Sequence, residues 1–274
     1  MRIIIGLLFS LVLISCGNVE LLDNPWDPDN WEHCGDATYS PAQFCYNSEI
    51  YSKCGGMEYN PPTQYCSGGS VINSLSSSSS IKDSFTDSRD GQIYDYVTIG
   101  TQTWMAENLN YNASGSKCYS NNTANCDNYG RLYDWATAMA ISTTYNTSSY
   151  TAGAKHQGVC PGGWHLPSDA EWTKLTDYVG GSSTAGNKLK AKSGWNSYSG
   201  IVNEDTYGFS ALPGGDGYSD GSFYNVGYNG YWWSATESNA SYAYSRSMHY
   251  NNEDVYRSNY DKDNYLFSVR CLRD

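Results

Sequence analysis

The sequence predicts an α+β fold with segregated elements: two helices early in the main domain, then short antiparallel strands and long loops, the whole stapled by disulfides. Three observations predict it. Apolar residues recur at helical spacing in "YGRLYDWATAMA" and "PSDAEWTKLTDYVGG". Beyond them the chain breaks into short runs separated by Gly, Ser and Asn, among them "YGFSALPGGDG", "GYWWSATE", "YAYSRSMHY" and "YLFSVRCLRD". Nine cysteines are present, and setting aside Cys16 at the end of an export signal leaves an even number, as a disulfide framework requires.

The export signal is "MRIIIGLLFSLVLISC", in which Arg2 precedes an apolar run from Ile3 to Leu13 that is too short to span a bilayer. Leu13-Ile14-Ser15-Cys16 resembles the bacterial lipobox, so residues 1–15 are expected to be a lipoprotein signal peptide and Cys16 the site of lipid attachment. Two or more acyl chains anchor stably where one does not. Gly17 and Asn18 follow, with no aspartate beside the cysteine, which points to the outer membrane or cell surface. The full chain carries a net charge of −12, and losing Arg2 makes it more acidic still. Nucleic acid is excluded as a partner because a phosphate backbone rewards a basic surface. A neutral polymer or a divalent cation suits it better.

Residues 16–32 form an acidic tether with Pro25 and Pro28 and no periodicity. Residues 33–66 hold an internal repeat, "CGDATYSPAQFC" and "CGGMEYNPPTQYC", each read as a loop closed by its own bond, Cys34 with Cys45 and Cys54 with Cys66. A staple over a loop of about a dozen residues contributes about 3 kcal/mol on the chain-entropy account, and so small a unit has no core to replace it. Zinc is the rival, but the spacings lack the short C-x-x-C knuckles of a tetrahedral site. Residues 67–84 read as a serine-rich linker. Residues 85–274 make the one domain large enough for a proper core.

Within that domain, "GQIYDYVTIGTQTWMAENLNY" predicts a hairpin with Ile93, Val97 and Ile99 on one face, Tyr94 and Tyr96 on the other, and the turn at Gly100. The first helix places Leu132, Trp135, Ala136 and Met139 on one stripe. The second opens with a capping box, Ser168 and Glu171, buries Trp172, Leu175 and Val179, and stops at Gly180-Gly181. Cys118, Cys126, Cys160 and Cys271 allow three pairings. The short loop "CYSNNTANC" favours Cys118 with Cys126, leaving Cys160 with Cys271.

"DSRDGQIYDYVTIGTQTWMAENLNY", "NYGRLYDWATAM", "CPGGWHLPSDAEWTKL", "GNKLKAKSGWN", "YGFSALPGG", "YWWSATE" and "FSVRCLRD" together resemble the Fibrobacter succinogenes major paralogous domain, in order from Asp87 to Asp274. That family is similar, more distantly, to the C-type-lectin-like fold of formylglycine-generating, sulfatase-modifying proteins, through "GWHLPSDAEW" and "FSVRC". The resemblance implies a loop-rich, C-type-lectin-like domain whose terminal strands lie together. It implies no oxidase: those enzymes hold copper through a late cysteine pair, and Cys271 stands alone in the last hundred residues.

Other catalytic constellations are lacking. His33, His156, His165 and His249 form no H-x-x-x-H pair, and there is no G-x-S-x-G elbow. Glu204-Asp205 and Glu253-Asp254 read as solvated charge rather than glycosidic acid/base pairs. Asp216 with Asp220, and Asp261 with Asp263, are candidate calcium ligands, although neither run completes a twelve-residue loop and plain acidic turns are the simpler reading. The 26 tyrosines and 9 tryptophans are the strongest functional signal, since rings among Ser, Gly and Asn make an adaptable contact surface. Tyr228, Tyr231, Trp232, Tyr242, Tyr244, Tyr250 and Tyr256 are the candidate ligand surface, with core packing as the competing role; alternation in a strand sends at least one of Trp232 and Trp233 inward. The expectation is a lipid-anchored, non-catalytic binding or adhesion protein for a polysaccharide or another surface protein, without a cofactor unless calcium binds. A structural envelope scaffold is the alternative, and an enzyme on the sulfatase-modifying fold the third.

Overall fold

The computed structural model describes residues 83–274 throughout and, before them, Lys53 and the residues of six short strands. The chain divides into two compact units, Met1–Ser78 and Ser79–Asp274. The signal peptide, Cys16 and the tether up to Trp31 lie outside the described residues, as do the side chains of Cys34, Cys45, Cys54 and Cys66, whose pairings are therefore not seen.

In the first unit the strands pair as three antiparallel hairpins: β1 (Glu32–Cys34) with β2 (Ala37–Tyr39), β3 (Gln43–Tyr46) with β4 (Glu49–Ser52), and β5 (Gln64–Ser67) with β6 (Ser70–Asn73). The repeat is thus longer than its cysteine loop. Each "Gln-aromatic-Cys" opens a hairpin, with Cys45 opposite Ile50 and Cys66 opposite Val71. Strand β6 lies within the stretch expected to be linker: after two glycines, "SVIN" carries the β-branched residues a strand favours.

The second unit is α+β, mostly strands with few helices. Strands β7 (Asp83–Thr86), β8 (Ile93–Ile99) and β9 (Gln102–Met105) form a meander. Gly100, at φ 61°, occupies the first turn position, where a two-residue hairpin needs positive φ, and its missing Cβ leaves room for the Tyr178 ring. Val97 and Ile99 face the core as expected, whereas Ile93 is exposed, because the strand begins there with nothing packed over its face.

Helix α1 (Thr123–Tyr129) is capped by Asn122, whose side chain accepts from the Ala124 N–H; sequence periodicity missed it because it buries only Cys126. Helix α2 (Trp135–Met139) is shorter than expected. Asp134 caps it by accepting from the Thr137 N–H, so Leu132 lies upstream in an extended bridge to Lys117 rather than on the helical stripe. Strand β10 (Trp164–His165) precedes α3 (Asp169–Tyr178), where the Ser168–Glu171 capping box is complete. A fourth helix, α4 (Ala185–Leu189), follows the Gly180-Gly181 stop.

Strands β11 (Asp216–Tyr218) and β12 (Phe223–Tyr224) form a hairpin. Strands β13 (Asn229–Glu237), β14 (Tyr242–His249) and β15 (Val255–Asp261) form an antiparallel meander, β16 (Tyr265–Leu266) joins β11, and β17 (Leu272–Arg273) inserts between β9 and β10. The last strand thus returns to the first sheet, Leu272 opposite Trp104.

Two core clusters flank β13. Trp233 packs with Tyr133, Trp135, Trp164 and Phe267 on one side; Trp232 packs with Trp104, Trp172, Phe209 and Met248 on the other. Both tryptophans are inside because both faces of the strand are covered. Gly230 in the same strand leaves room for the Trp232 ring and the Leu212 carbonyl. Backbone pairing in turns satisfies most of the loops, and buried cations satisfy some of the remaining carbonyls. Arg270 donates to the carbonyls of Met105, Phe209 and Ser210, and shares Asn108 Oδ1 with Trp232 Nε1.

Two disulfides are present among the described residues, Cys118–Cys126 and Cys160–Cys271. The second ties the approach to β10 to the start of β17.

Candidate functional site

Five segments converge on a cleft of ≈ 400 Å³. Asn121 comes from the loop that the Cys118–Cys126 bond closes, and Lys117, just before that loop, is held extended by pairing with Leu132. Asp134 stands at the capped end of α2. Thr143 and Asn146 come from a 3₁₀ turn over Thr143–Asn146. That turn is pinned by the buried Lys262 ammonium, which donates to the carbonyls of Tyr145 and Ser148 and to Glu237 Oε2 at 2.8 Å. Tyr218, Asp220 and Phe223 form the tip of the β11–β12 hairpin, and Asp263 and Leu266 close the ring.

The chemistry is an apolar wall, Phe223 and Leu266, which share one face of the β12–β11–β16 sheet, beneath a polar rim. Asp134 is engaged on both oxygens by Thr137, through its N–H at 2.9 Å and its hydroxyl at 2.7 Å. Asp220 uses only Oδ1, accepting from the Ser222 N–H and hydroxyl, and these bonds hold its carboxyl below the ordinary range. Asp263 uses only Oδ1, accepting from Asn146 Nδ2 at 3.2 Å, while Asn146 Oδ1 caps the Ala136 N–H. That leaves the second oxygens of Asp220 and Asp263 as acceptors among the residues that line the cleft, with the Thr143 hydroxyl and the exposed Lys117 ammonium as donors. A concave apolar wall with a few convergent polar groups is the general pattern of small-ligand sites.

Of the four calcium candidates, only Asp220 and Asp263 line this cleft. Asp216 is buried outside it against Asn225 Nδ2 at 2.7 Å, and burial pushes its carboxyl up to about 6 against the hydrogen bonds from Asn225 and Tyr218. Asp261 spends Oδ1 on the backbone N–H groups of Asp263 and Asn264, bracing its own turn. Among the described residues no three His, Cys, Asp or Glu side chains come together to hold a metal ion.

The seven aromatic candidates do not form one surface. Trp232 is fully buried and Tyr231 nearly so, a correction that follows from β13 being packed on both faces. Tyr244 is half-buried, its face covered by the Arg257 guanidinium at 3.9 Å. Tyr242 is exposed at the far end of β14. Tyr228 and Tyr250 meet edge to face at 5.0 Å, and Tyr198, which sequence reasoning passed over, joins them at 5.6 Å from Tyr250. Tyr256 is exposed and stacks on His249 at 4.8 Å. The cleft itself was missed because its residues are scattered from 115 to 266; the one local signal was the "Tyr-Ser-Asp-Gly-Ser-Phe" hairpin tip.

His165 is structural. Its Nδ1 lies 2.8 Å from Asp274 Oδ1 and its Nε2 3.0 Å from Glu171 Oε1, so both nitrogens donate and the ring is the imidazolium. Burial alone would lower its pKa, but Glu171 and then Asp274 raise it above the ordinary value. Glu171, which burial would raise, is lowered by His165 and Ser168. A raised histidine contributes stability that is full below the unfolded value of about 6.5 and is lost as pH rises through the folded value. His165→Gln is therefore expected to cost about 1.5–3 kcal/mol at pH 6, the size of hydrogen bonds to charged groups. The gap should shrink in alkaline solution. Urea midpoints across this range check it, and a gap of constant size would contradict the imidazolium assignment.

Residues 97–273 match the family model described as the Fibrobacter succinogenes major domain. No curated protein and no solved structure matches the chain. Among the described residues no helix is long and apolar enough to cross a membrane.

Proposed function

From a chain that belongs to the Fibrobacter succinogenes major domain family, a name that carries no activity, we propose a surface lipoprotein, anchored through Cys16 in the outer membrane, whose folded domain is a non-catalytic carbohydrate-binding module. The cleft carries this reading. Sugars present apolar ring faces and hydroxyl edges together, and here Phe223 and Leu266 supply the apolar wall while Asp220, Asp263 and Thr143 supply acceptors and donors around it. The non-catalytic part is supported by the carboxylates themselves: Asp134 is occupied in capping a helix, and Asp220 and Asp263 each brace a turn or a loop. Support for a C-type-lectin-like plan comes from the helix that "GWHLPSDAEW" opens and from the "FSVRC" end returning to β9.

The full chain, incubated with insoluble cellulose, other plant polysaccharides and the cell's own envelope glycans, is expected to be retained on at least one. Phe223→Ala should weaken retention about tenfold, or about 1.4 kcal/mol, as truncation of a central aromatic contact does. No retention on any of them, with protein adducts on intact cells instead, would replace this reading with the scaffold.

A further inference from the structure

Three tyrosines gather at the end of the β13–β14 ladder, and none of them lines the cleft. One step past the Asn229–His249 pair, the Tyr250 N–H donates to the Tyr228 carbonyl at 2.8 Å, so the two side chains stand side by side on one face. Their rings meet at 5.0 Å, and Tyr198, from the loop after α4, reaches Tyr250 at 5.6 Å. The Tyr250 ring is close to perpendicular to each of the other two, which puts ring faces in at least two planes. Tyr198 and Tyr228 are half exposed, and among the described residues no protein group engages any of the three hydroxyls.

The frame beneath these rings is fixed from inside. Lys190 is fully buried, and its ammonium donates to the carbonyls of His249 and Asn252, at 2.9 and 2.7 Å, on either side of Tyr250. The Asn196 N–H donates to the Gly227 carbonyl at 2.8 Å and ties the Tyr198 loop to the Tyr228 turn, while Trp195 Nε1 fastens the same loop to the Ala211 carbonyl at 2.9 Å. Rings held in this way lose little freedom when a ligand arrives, so more of their contact energy appears as affinity.

The segments that carry the rings, residues 193–203, 225–230 and 250–252, hold no charged side chain and are rich in Asn, Ser and Gly. Asn196 and Ser197, exposed beside Tyr198, add amide and hydroxyl groups. Ring faces bordered by uncharged hydrogen-bonding groups suit a ligand that is apolar on one face, polar at its edges and without charge, and nothing in these segments would pair a ligand's charge. We infer that Tyr198, Tyr228 and Tyr250 form a second site, separate from the cleft, that binds a neutral sugar. The site goes beyond the cleft reading because it stands on other residues. A polymer that reaches both sites is held more firmly than by either alone.

Calorimetry of the full chain with β-1,4-linked tetramers of glucose, xylose, mannose and N-acetylglucosamine tests it, in the natural protein and in a Phe223→Ala background that weakens the cleft. For the series that binds, the Phe223→Ala chain is expected to keep measurable affinity, and adding Tyr228→Ala or Tyr198→Ala should lower what remains about tenfold, as loss of a central aromatic contact does. Tyr242→Ala, at the opposite end of β14, should change nothing. Because Tyr198 and Tyr228 are half exposed and lie in different segments, their variants should keep the urea midpoint of the background chain. Remaining affinity that neither tyrosine variant lowers, or none left after Phe223→Ala alone, overturns the second site and leaves the cleft standing. Tyrosine variants that abolish binding while Phe223→Ala does not weaken it support the second site and overturn the cleft. Absence of binding in every series rejects both.

Discussion

Replacing Cys160 and Cys271 together by alanine is expected to lower unfolding stability by about 4–5 kcal/mol, since the bond closes a loop of roughly 110 residues and the chain-entropy account gives about 4.7 kcal/mol for that length. The same substitution at Cys118 and Cys126, whose sequence separation is 8, is expected to cost about 2.5 kcal/mol by the same relation. The difference lies mostly in the unfolded chain, which gains far more freedom when the long crosslink goes. Alanine is the better replacement because a serine hydroxyl at either fully buried position of the long bridge would lack a partner and add its own penalty. Urea unfolding of both double variants under oxidising conditions gives the comparison. A loss below about 1 kcal/mol at the long bridge would mean that β10 and β17 are held without it.

Asp169→Ala is expected to cost about 3–5 kcal/mol, because it strands a buried charge. Arg246 is 2% exposed, and its Nη1 lies 2.6 Å from Asp169 Oδ1. Its remaining partners are neutral: the Asp169 and Ser245 carbonyls and the Thr173 hydroxyl. Arg257 also grips Asp169, through Nε and Nη2, but its side chain is half exposed, so Arg257→Ala should cost less than about 1 kcal/mol. Burial would raise the Asp169 pKa, yet the two arginines bring it below the ordinary value. The stability it contributes is therefore present above the unfolded value of about 3.9 and lost as pH falls through the lower, folded one. Denaturation of both variants at neutral pH and in acid measures this, and equal costs for the two at pH 7 would refute the buried-charge account.

Local signals in the sequence were reliable where a side chain acts on its own neighbourhood. The capping box of Ser168 and Glu171 and the hairpin turn at Gly100 were legible because each satisfies a backbone requirement within a few residues. The short disulfide was legible for the same reason. By contrast, "WATAM" was read one turn too long: Leu132 fits the helical period but is drawn into an extended bridge with Lys117, and Asp134 offers the stronger cap. Among the aromatics, composition signalled their number but not their side. Alternation alone leaves one of Trp232 and Trp233 outside, and only the second core cluster, brought up by α3 and β9, buries both.

What the sequence by itself determined is the α+β class, the family likeness, the acidic character, and the local caps and turns, all of which are read from composition or from residues near one another in the chain. What only the tertiary structure decided is which tyrosines are free to meet a ligand and where the cleft lies. Burial depends on what packs against a face, and the cleft joins residues from 115 to 266 through contacts that no local pattern encodes.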